Sequence, residues 1–187
     1  MRRSVRSLGL LAALLPVLWT GAPAQAQTTA VKQTAECQGD WLPATPTSAE
    51  IMSGKLSLLG LPAVPVGKDV NWRMDPYRNR SWQMVFHSLR WMARLVADYE
   101  TTGETAYLKR AIEIAKDWVA DNPYGGRNTS KYAWDEHPIA LRAPALVCLS
   151  RHHSASWLTK TLARHAKLLA DPRNYEAGHN HGLDQDI

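Results

Sequence analysis

The feature that most constrains the fold is a helical repeat of apolar residues that begins near residue 81. From there to residue 99, apolar side chains recur every third or fourth position: Trp82, Val85, Phe86, Leu89, Met92, Val96 and Tyr99. This spacing places them on one side of an α-helix. Ser81 is the predicted N-cap of this helix, and Gly103 is the predicted stop.

Three further segments with helical patterns follow the first. One carries apolar residues at Leu108–Val119 with a charged opposite face, and the turn Asn122-Pro123-Tyr124-Gly125-Gly126 ends it. A second, His137–His152, is apolar on most sides, and Pro144 should kink it or mark a late start. A third runs over Ala155–Ala170. With no alternating strand pattern of any length, the sequence predicts an all-α array, either helical hairpins in two layers or an open bundle.

The N-terminus has the layout of a secretory signal. Arginines at positions 2, 3 and 6 precede a largely apolar stretch, and the small-x-small site Ala24-Gln25-Ala26 follows. We therefore expect a signal peptide over residues 1–26 and a periplasmic or extracellular protein. The apolar stretch is shorter than the ~20 residues of a membrane span, so no stable span is expected after cleavage. Residues 27–70 are predicted to be an irregular lead-in with one short helix around Thr47–Leu59.

Charge and cysteine content limit the classes of function. The formal charge is +5, but the predicted signal holds three of the 22 basic residues and no acid. The rest therefore has 19 basic and 17 acidic residues, a net charge of +2. Because basic and acidic residues are nearly balanced, the charge does not indicate nucleic acid as a partner. Two cysteines, Cys37 and Cys148, are too few for a cysteine-rich module. In an oxidising compartment they could form a disulfide, or they could be two unbonded small apolar residues.

Two clusters of polar residues could carry chemistry. His179, Asn180 and His181 stand between a loop and a helix start, where their side chains could converge on one anion, or could simply cap the helix. The two histidines lack a third ligand at a known spacing, so no metal site is predicted. The second cluster, which includes Asp135 and Glu136, suits an acidic sugar; its candidate contacts are Tyr132, Trp134, His137 and Arg142. Alternatively, its aromatic rings pack into the core and Arg142 pairs with a carboxylate.

The tryptophans divide by position. Trp82, Trp91 and Trp118 fall in helical segments and are predicted to pack in the core, whereas Trp41, Trp72 and Trp134 lie outside the clear apolar stripes and could line a cleft.

Several ordered segments resemble the heparinase II/III-like polysaccharide lyases. The stretch Arg80–Trp91 is similar to the first toroid helix of that family, and Trp134-Asp135-Glu136-His137 with Arg142 is similar to a later loop and helix. The segment Asn180–Asp186 resembles the family's Asn-His-Gly catalytic segment. The resemblance implies an incomplete (α/α) toroid over residues 71–187, followed in the family by a β-sandwich domain.

The resemblance also implies a reaction, the β-elimination of uronate-containing glycans of the heparin or alginate type. Asn180 and His181 match the positions that hold the uronate carboxylate, and His181 could instead be the base for one uronate epimer. The family's catalytic tyrosine lies downstream and the sequence stops at Ile187, so we expect an N-terminal fragment that is inactive alone. This portion should need no cofactor; a structural metal in the C-terminal domain and the oligomeric state stay open.

Two other functions are compatible with the sequence. The first is a non-catalytic helical domain that binds an exopolysaccharide. The second is a hydrolase on a related helical toroid, which would need two carboxylates flanking the scissile bond. Asp135 and Glu136 are adjacent, and the sequence shows no second carboxylate opposite either of them.

Overall fold

Helices dominate the computed structural model, which describes residues 46–174. This part contains the α-helices α1 (Ser48–Met52), α2 (Arg80–His87), α3 (Arg90–Thr102), α4 (Thr105–Asp121), α5 (Glu136–Ser150) and α6 (Ser156–Leu169). Two short antiparallel strands, β1 (Lys55–Leu56) and β2 (Val64–Pro65), follow α1, and a 3-10 turn over Pro172–Asn174 follows α6. The predominantly helical prediction is confirmed, while the toroid and its truncation stay predictions.

The first predicted helix is in fact two helices. The chain breaks after α2 because Leu89 adopts a left-handed conformation with φ of 53°. Ser88 supports the break: its hydroxyl donates to the Val85 carbonyl oxygen (2.7 Å) and accepts from the Arg90 N–H (3.3 Å). Local bonds of this kind compete with helical ones. Asn79, not the predicted Ser81, caps α2. The predicted stop at Gly103 is confirmed, with φ of 74°.

The other helices lie close to their predicted positions. The Asp135 side chain accepts from the Glu136 N–H (3.0 Å) and so caps α5. Pro144 lies inside α5 and not at its start, so the predicted late start is wrong. Helix α3 packs against both α4 and α5, and α5 packs in turn against α2 and α6.

The core is rich in aromatic rings. Trp82, Trp91 and Trp118 are at most 1% exposed, which confirms their predicted role in packing. The prediction that Trp72 could line a cleft is wrong, because its ring is 1% exposed and lies 4.9 Å from that of Phe86. Its indole N–H donates to Asp117 (2.8 Å), which ties residue 72 to α4.

The segment before α2 is more ordered than predicted. A reciprocal capping box between Thr47 and Glu50 starts α1, and the β1–β2 hairpin follows it. The segment supplies buried apolar residues to the main core: Ile51, Leu56, Leu58, Val64, Val66 and Val70. Strands of two residues are too short to show an alternating pattern, which is why no strand was predicted here. No helix in the described range 46–174 is long and apolar enough to cross a membrane.

Candidate functional site

A cleft of about 320 Å³ lies between the C-terminal end of α4, the loop that follows it, and α6. Four aromatic residues line this aromatic cleft: Trp118, Tyr124, Trp134 and Trp157. The side chains of Lys160 and Arg164 line it from α6. Among the described residues that line the cleft, none is acidic. The cleft therefore combines flat apolar surfaces with positive charge.

Trp134 is the centre of the aromatic arrangement. Its indole N–H donates to the Asn122 carbonyl oxygen (2.8 Å), and its ring centroid lies 5.3 Å from those of both Trp118 and Tyr124. Asn122 is itself fixed, because its side-chain amide donates to the Trp118 carbonyl oxygen (3.0 Å) and it is 1% exposed. These contacts hold the Trp134 ring in one orientation.

The positive charge of the cleft comes from α6. Lys160 and Arg164 are exposed and four residues apart, so they lie on the same side of the helix. The Arg164 guanidinium lies 5.1 Å from the centroid of the Tyr124 ring, within the range of a cation–π contact. Helix α6 contains no aspartate or glutamate, so no acid on the helix offsets these charges.

A buried arginine lies beneath the cleft. Arg142 is 0% exposed, and its guanidinium lies 3.8 Å over the Trp118 ring and 5.2 Å from that of Trp134. Its Nε–H donates to Nε2 of His165 (2.9 Å), and its Nη1 donates to the His87 carbonyl oxygen (2.6 Å). Among the described residues its Nη2 has no hydrogen-bond partner. Burial lowers the pKa of Arg142 well below its ordinary value.

Two buried histidines complete this layer. Because His165 Nε2 accepts from Arg142, its Nδ1 carries the proton and donates to the Thr161 carbonyl oxygen (2.8 Å). Nδ1 of His87 accepts from the Trp118 indole N–H (3.2 Å). Burial, and secondly the charge of Arg142, lowers the pKa of each histidine from 6.5 to about 3. Both histidines are therefore neutral at pH 7.

The structure separates the residues of the predicted sugar-binding cluster. Trp134 lines the cleft, and Arg142 lies below it, out of contact with solvent. Tyr132 and His137 are half-buried and do not line the cleft. The predicted alternative for Arg142, a carboxylate partner, is not what the described residues provide: a histidine and a backbone carbonyl take that place.

The remaining predicted residues have other places. Asp135, besides capping α5, lies 3.9 Å from Arg80 in a partly exposed ion pair. His179, Asn180 and His181 lie outside the described residues, as does Trp41.

Sequence reasoning missed several residues of the site. The sequence predicts Tyr124 only as part of the turn that ends α4, although an aromatic ring beside Pro123 and Gly125 is a signal for an exposed contact. Lys160 and Arg164 carried a signal too, since they stand four apart on a helix without acids. No sequence signal marked His87 and His165, because a sequence does not show that a histidine is buried and neutral.

The described residues include no cluster of three or more histidine, cysteine or acidic side chains that could hold a metal ion. Cys148 in α5 is 0% exposed and forms a disulfide. Cys37 lies outside the described residues.

The part of the chain that the structure describes is thus a mostly helical domain with an aromatic, positively charged cleft. Residues 55–183 match a family model described as Heparinase II/III N-terminus, and the chain belongs to this family. The predicted resemblance is thereby confirmed. The match begins at residue 55, within the segment predicted as a lead-in.

Two relatives of similar sequence are heparin-sulfate lyases. The chain is 27% identical over 81 residues to a heparin-sulfate lyase of Pedobacter heparinus, which covers 43% of this chain and 12% of the relative. It is 26% identical over 121 residues to a heparin-sulfate lyase of Bacteroides thetaiotaomicron. That match covers 59% of this chain and 17% of the relative. The chain thus spans less than a fifth of the length of these relatives in the matched regions.

A solved structure is similar in fold. The crystal structure of heparan sulfate lyase HepC from Pedobacter heparinus superposes with a TM-score of 0.63 at 21% identity. The superposition covers 88% of this chain and 26% of that structure.

Proposed function

We propose that this chain is the N-terminal helical part of a secreted polysaccharide lyase that cleaves a uronate-containing glycan of the heparin or alginate type. The observation that carries the proposal is the family match over residues 55–183, which includes Asn180 and His181. The names of the two relatives, both heparin-sulfate lyases, favour a heparin-type substrate. The predicted acidic polysaccharide partner follows from the same reasoning.

The proposed reaction explains why those residue types are needed. In β-elimination a base removes the C5 proton of the uronate, a C4=C5 double bond forms, and the C4–O bond breaks as the leaving oxygen gains a proton. The C5 proton is weakly acidic while the neighbouring carboxylate is charged. Hydrogen bonds from Asn180 and His181 to that carboxylate would stabilise the negative charge that develops on it. A tyrosine outside this sequence, or His181 for one epimer, would be the base.

The proposal includes export to the periplasm or beyond, with residues 1–26 as the signal. The disulfide at Cys148 supports it, because disulfides persist in oxidising compartments and are rare in the cytosol. The N-terminal portion needs no cofactor for the proposed chemistry, and we propose that it is inactive without the rest of the enzyme.

The experiment compares two proteins: the product of the whole reading frame that contains this chain, and the chain over residues 27–187. Each is incubated with heparan sulfate, heparin and alginate, and the ultraviolet absorbance of the unsaturated product is recorded. We expect absorbance to rise only with the longer protein, and the Asn180→Ala, His181→Ala variant to lose activity by ~100-fold or more. Lys109→Ala, on the exposed face of α4, is the matched control.

Either of two results would contradict the proposal. No absorbance with any uronate glycan would exclude the lyase, and clear product from residues 27–187 alone would exclude the inactive fragment.

A second candidate is a non-catalytic glycan-binding domain. It is favoured by the aromatic cleft itself, whose described lining includes no carboxylate or histidine that could move a proton. The same observation gives no support to a hydrolase at this cleft, which would need a carboxylate pair. Retention of a glycan without any new double bond would favour the binding domain.

A further inference from the structure

We propose that the aromatic cleft binds one anionic sugar unit and so forms a glycan-binding subsite whose residues are other than the Asn180–His181 segment. The inference rests on the proposed function only for the choice of an acidic glycan as the ligand. The subsite consists of Tyr124 and Trp134 as ring surfaces, and Lys160 and Arg164 as cationic contacts.

The aromatic surfaces of the cleft are flat and held in place. A pyranose ring has faces of C–H groups, which pack on flat aromatic rings. Trp134 is held by its hydrogen bond to Asn122, and the Tyr124 ring stands edge-on to it at 86°. Tyr124 is 52% exposed, so its ring is accessible. Because these rings are already oriented, binding would cost little of the entropy that ordering a side chain requires.

The charge of the cleft favours an anionic sugar. The described lining has two cationic side chains and no acidic one, and α6 adds Lys167 without any acid. An uncharged sugar would not use this charge. A carboxylate or sulfate could accept paired N–H bonds from the planar Arg164 guanidinium, and Lys160 could add a point charge one turn earlier on the helix.

A packed layer of buried side chains supports the floor of the cleft. Trp118 is 0% exposed, and the Arg142 guanidinium lies 3.8 Å from its ring centroid. The Trp134 ring is tilted at 58° to that of Trp118 and lies 5.2 Å from the same guanidinium. The residues that would contact the sugar therefore rest on a packed layer. Substitution of the exposed Tyr124, Lys160 or Arg164 should consequently leave this layer intact.

Calorimetric titration of the chain over residues 27–187 with three hexasaccharides tests the proposal. The probes are a heparan sulfate hexasaccharide with sulfate and carboxylate groups, a hexagalacturonate with carboxylates alone, and neutral maltohexaose. We expect binding of one or both anionic probes and none of maltohexaose; the two anionic arms show whether sulfate or carboxylate is recognised. Tyr124→Ala and Arg164→Ala should each weaken binding by about tenfold.

Matched variants separate a built subsite from general positive charge. Lys167→Ala removes an exposed charge from the same helix but not from the cleft lining, and should weaken binding less than twofold. Arg164→Lys keeps the charge but loses the planar contact with Tyr124, so it should fall between wild type and Arg164→Ala. Equal losses for Lys167→Ala and Arg164→Ala, unchanged affinity in Tyr124→Ala, or no binding of either anionic probe would overturn the proposal. Thermal melts by circular dichroism confirm folding; if Tyr124→Ala unfolds, the comparison of Arg164→Ala with Lys167→Ala decides.

The experiment keeps the two proposals apart. If the cleft variants lose binding but the product of the whole reading frame forms no unsaturated sugar, the lyase proposal fails and the subsite stands. If that product cleaves the glycan and its KM and kcat are the same in Arg164→Ala and wild type, the subsite fails and the lyase stands.

Discussion

At the scale of single residues, Arg142 is unusual because it is a cation buried without a described carboxylate partner. Desolvation of such a group is costly unless hydrogen bonds and nearby electron-rich groups compensate. Here the compensation comes from Nε2 of His165, the carbonyl oxygen of His87 and the face of the Trp118 indole. Arg142 therefore joins α2, α4, α5 and α6 around one guanidinium.

We predict that Arg142→Ala lowers the free energy of unfolding by about 3–5 kcal/mol, because it leaves a cavity and two unpaired acceptors. Arg142→Met fills most of the same volume and removes the buried charge, so its loss should be smaller. Urea unfolding at pH 7 measures both values. A loss below about 1 kcal/mol in Arg142→Ala would show that the guanidinium is not the link between these helices.

The two buried histidines predict how stability depends on pH. Their pKa is about 3 in the folded chain, against 6.5 as the ordinary value, chiefly because burial disfavours the charged ring. Between those values the unfolded chain binds protons that the folded chain does not. The free energy of unfolding is therefore not reduced by these histidines above pH 6.5, and it decreases progressively as the pH falls from 6.5 toward 3. From pH 6 to pH 5 we expect a decrease of about 2–3 kcal/mol.

Urea midpoints at pH 5.0, 5.5 and 6.0 measure this decrease in a range where most carboxylates stay ionised. In His165→Gln one of the two groups is absent, so the slope against pH should fall by about half even if the variant is less stable overall. An unchanged slope in His165→Gln would mean that other groups cause the acid sensitivity.

At the scale of elements, the end of α3 depends on a glycine. Gly103 has φ of 74°, and nothing lies within 4 Å of the position that a Cβ atom would take. The cost of a side chain there is consequently conformational and not steric. Gly103→Ala should lower the free energy of unfolding by about 1 kcal/mol, and Gly103→Asn by less, because asparagine tolerates the left-handed region better. Thermal melts compare the two; an equal loss would contradict the conformational explanation.

The same elements show what a sequence can predict. Helices α4 and α6 were predictable because their apolar spacing and their ends agree, and α5 because its segment is apolar on most sides. The break at Leu89 was not, since a leucine on an apolar stripe gives no sign of a positive φ. The aromatic cleft was predictable in part: Trp134 was expected to line a cleft, but the residues facing it come from α4 and α6, far apart in sequence. Such pairings depend on how the helices pack.

At the scale of the whole molecule, a disulfide joins α5 to another part of the chain. Cys148 is disulfide-bonded and fully buried, and Cys37 is the only other cysteine in the sequence. We predict that Cys37 is its partner. A bond between these positions would close a loop of roughly 100 residues, for which the loss of chain entropy in the unfolded state stabilises the fold by up to about 5 kcal/mol.

Reduction should therefore lower the free energy of unfolding of the wild-type chain by about 2–5 kcal/mol, measured by urea unfolding with and without reductant. The Cys37→Ser, Cys148→Ser variant should start from the lower value and not respond to reductant, which separates loss of the bond from side effects of the reagent. Mass spectrometry of a non-reduced digest should find the two cysteine peptides joined. If the wild-type chain is equally stable with and without reductant, the bond at Cys148 does not stabilise the fold by constraining the unfolded state.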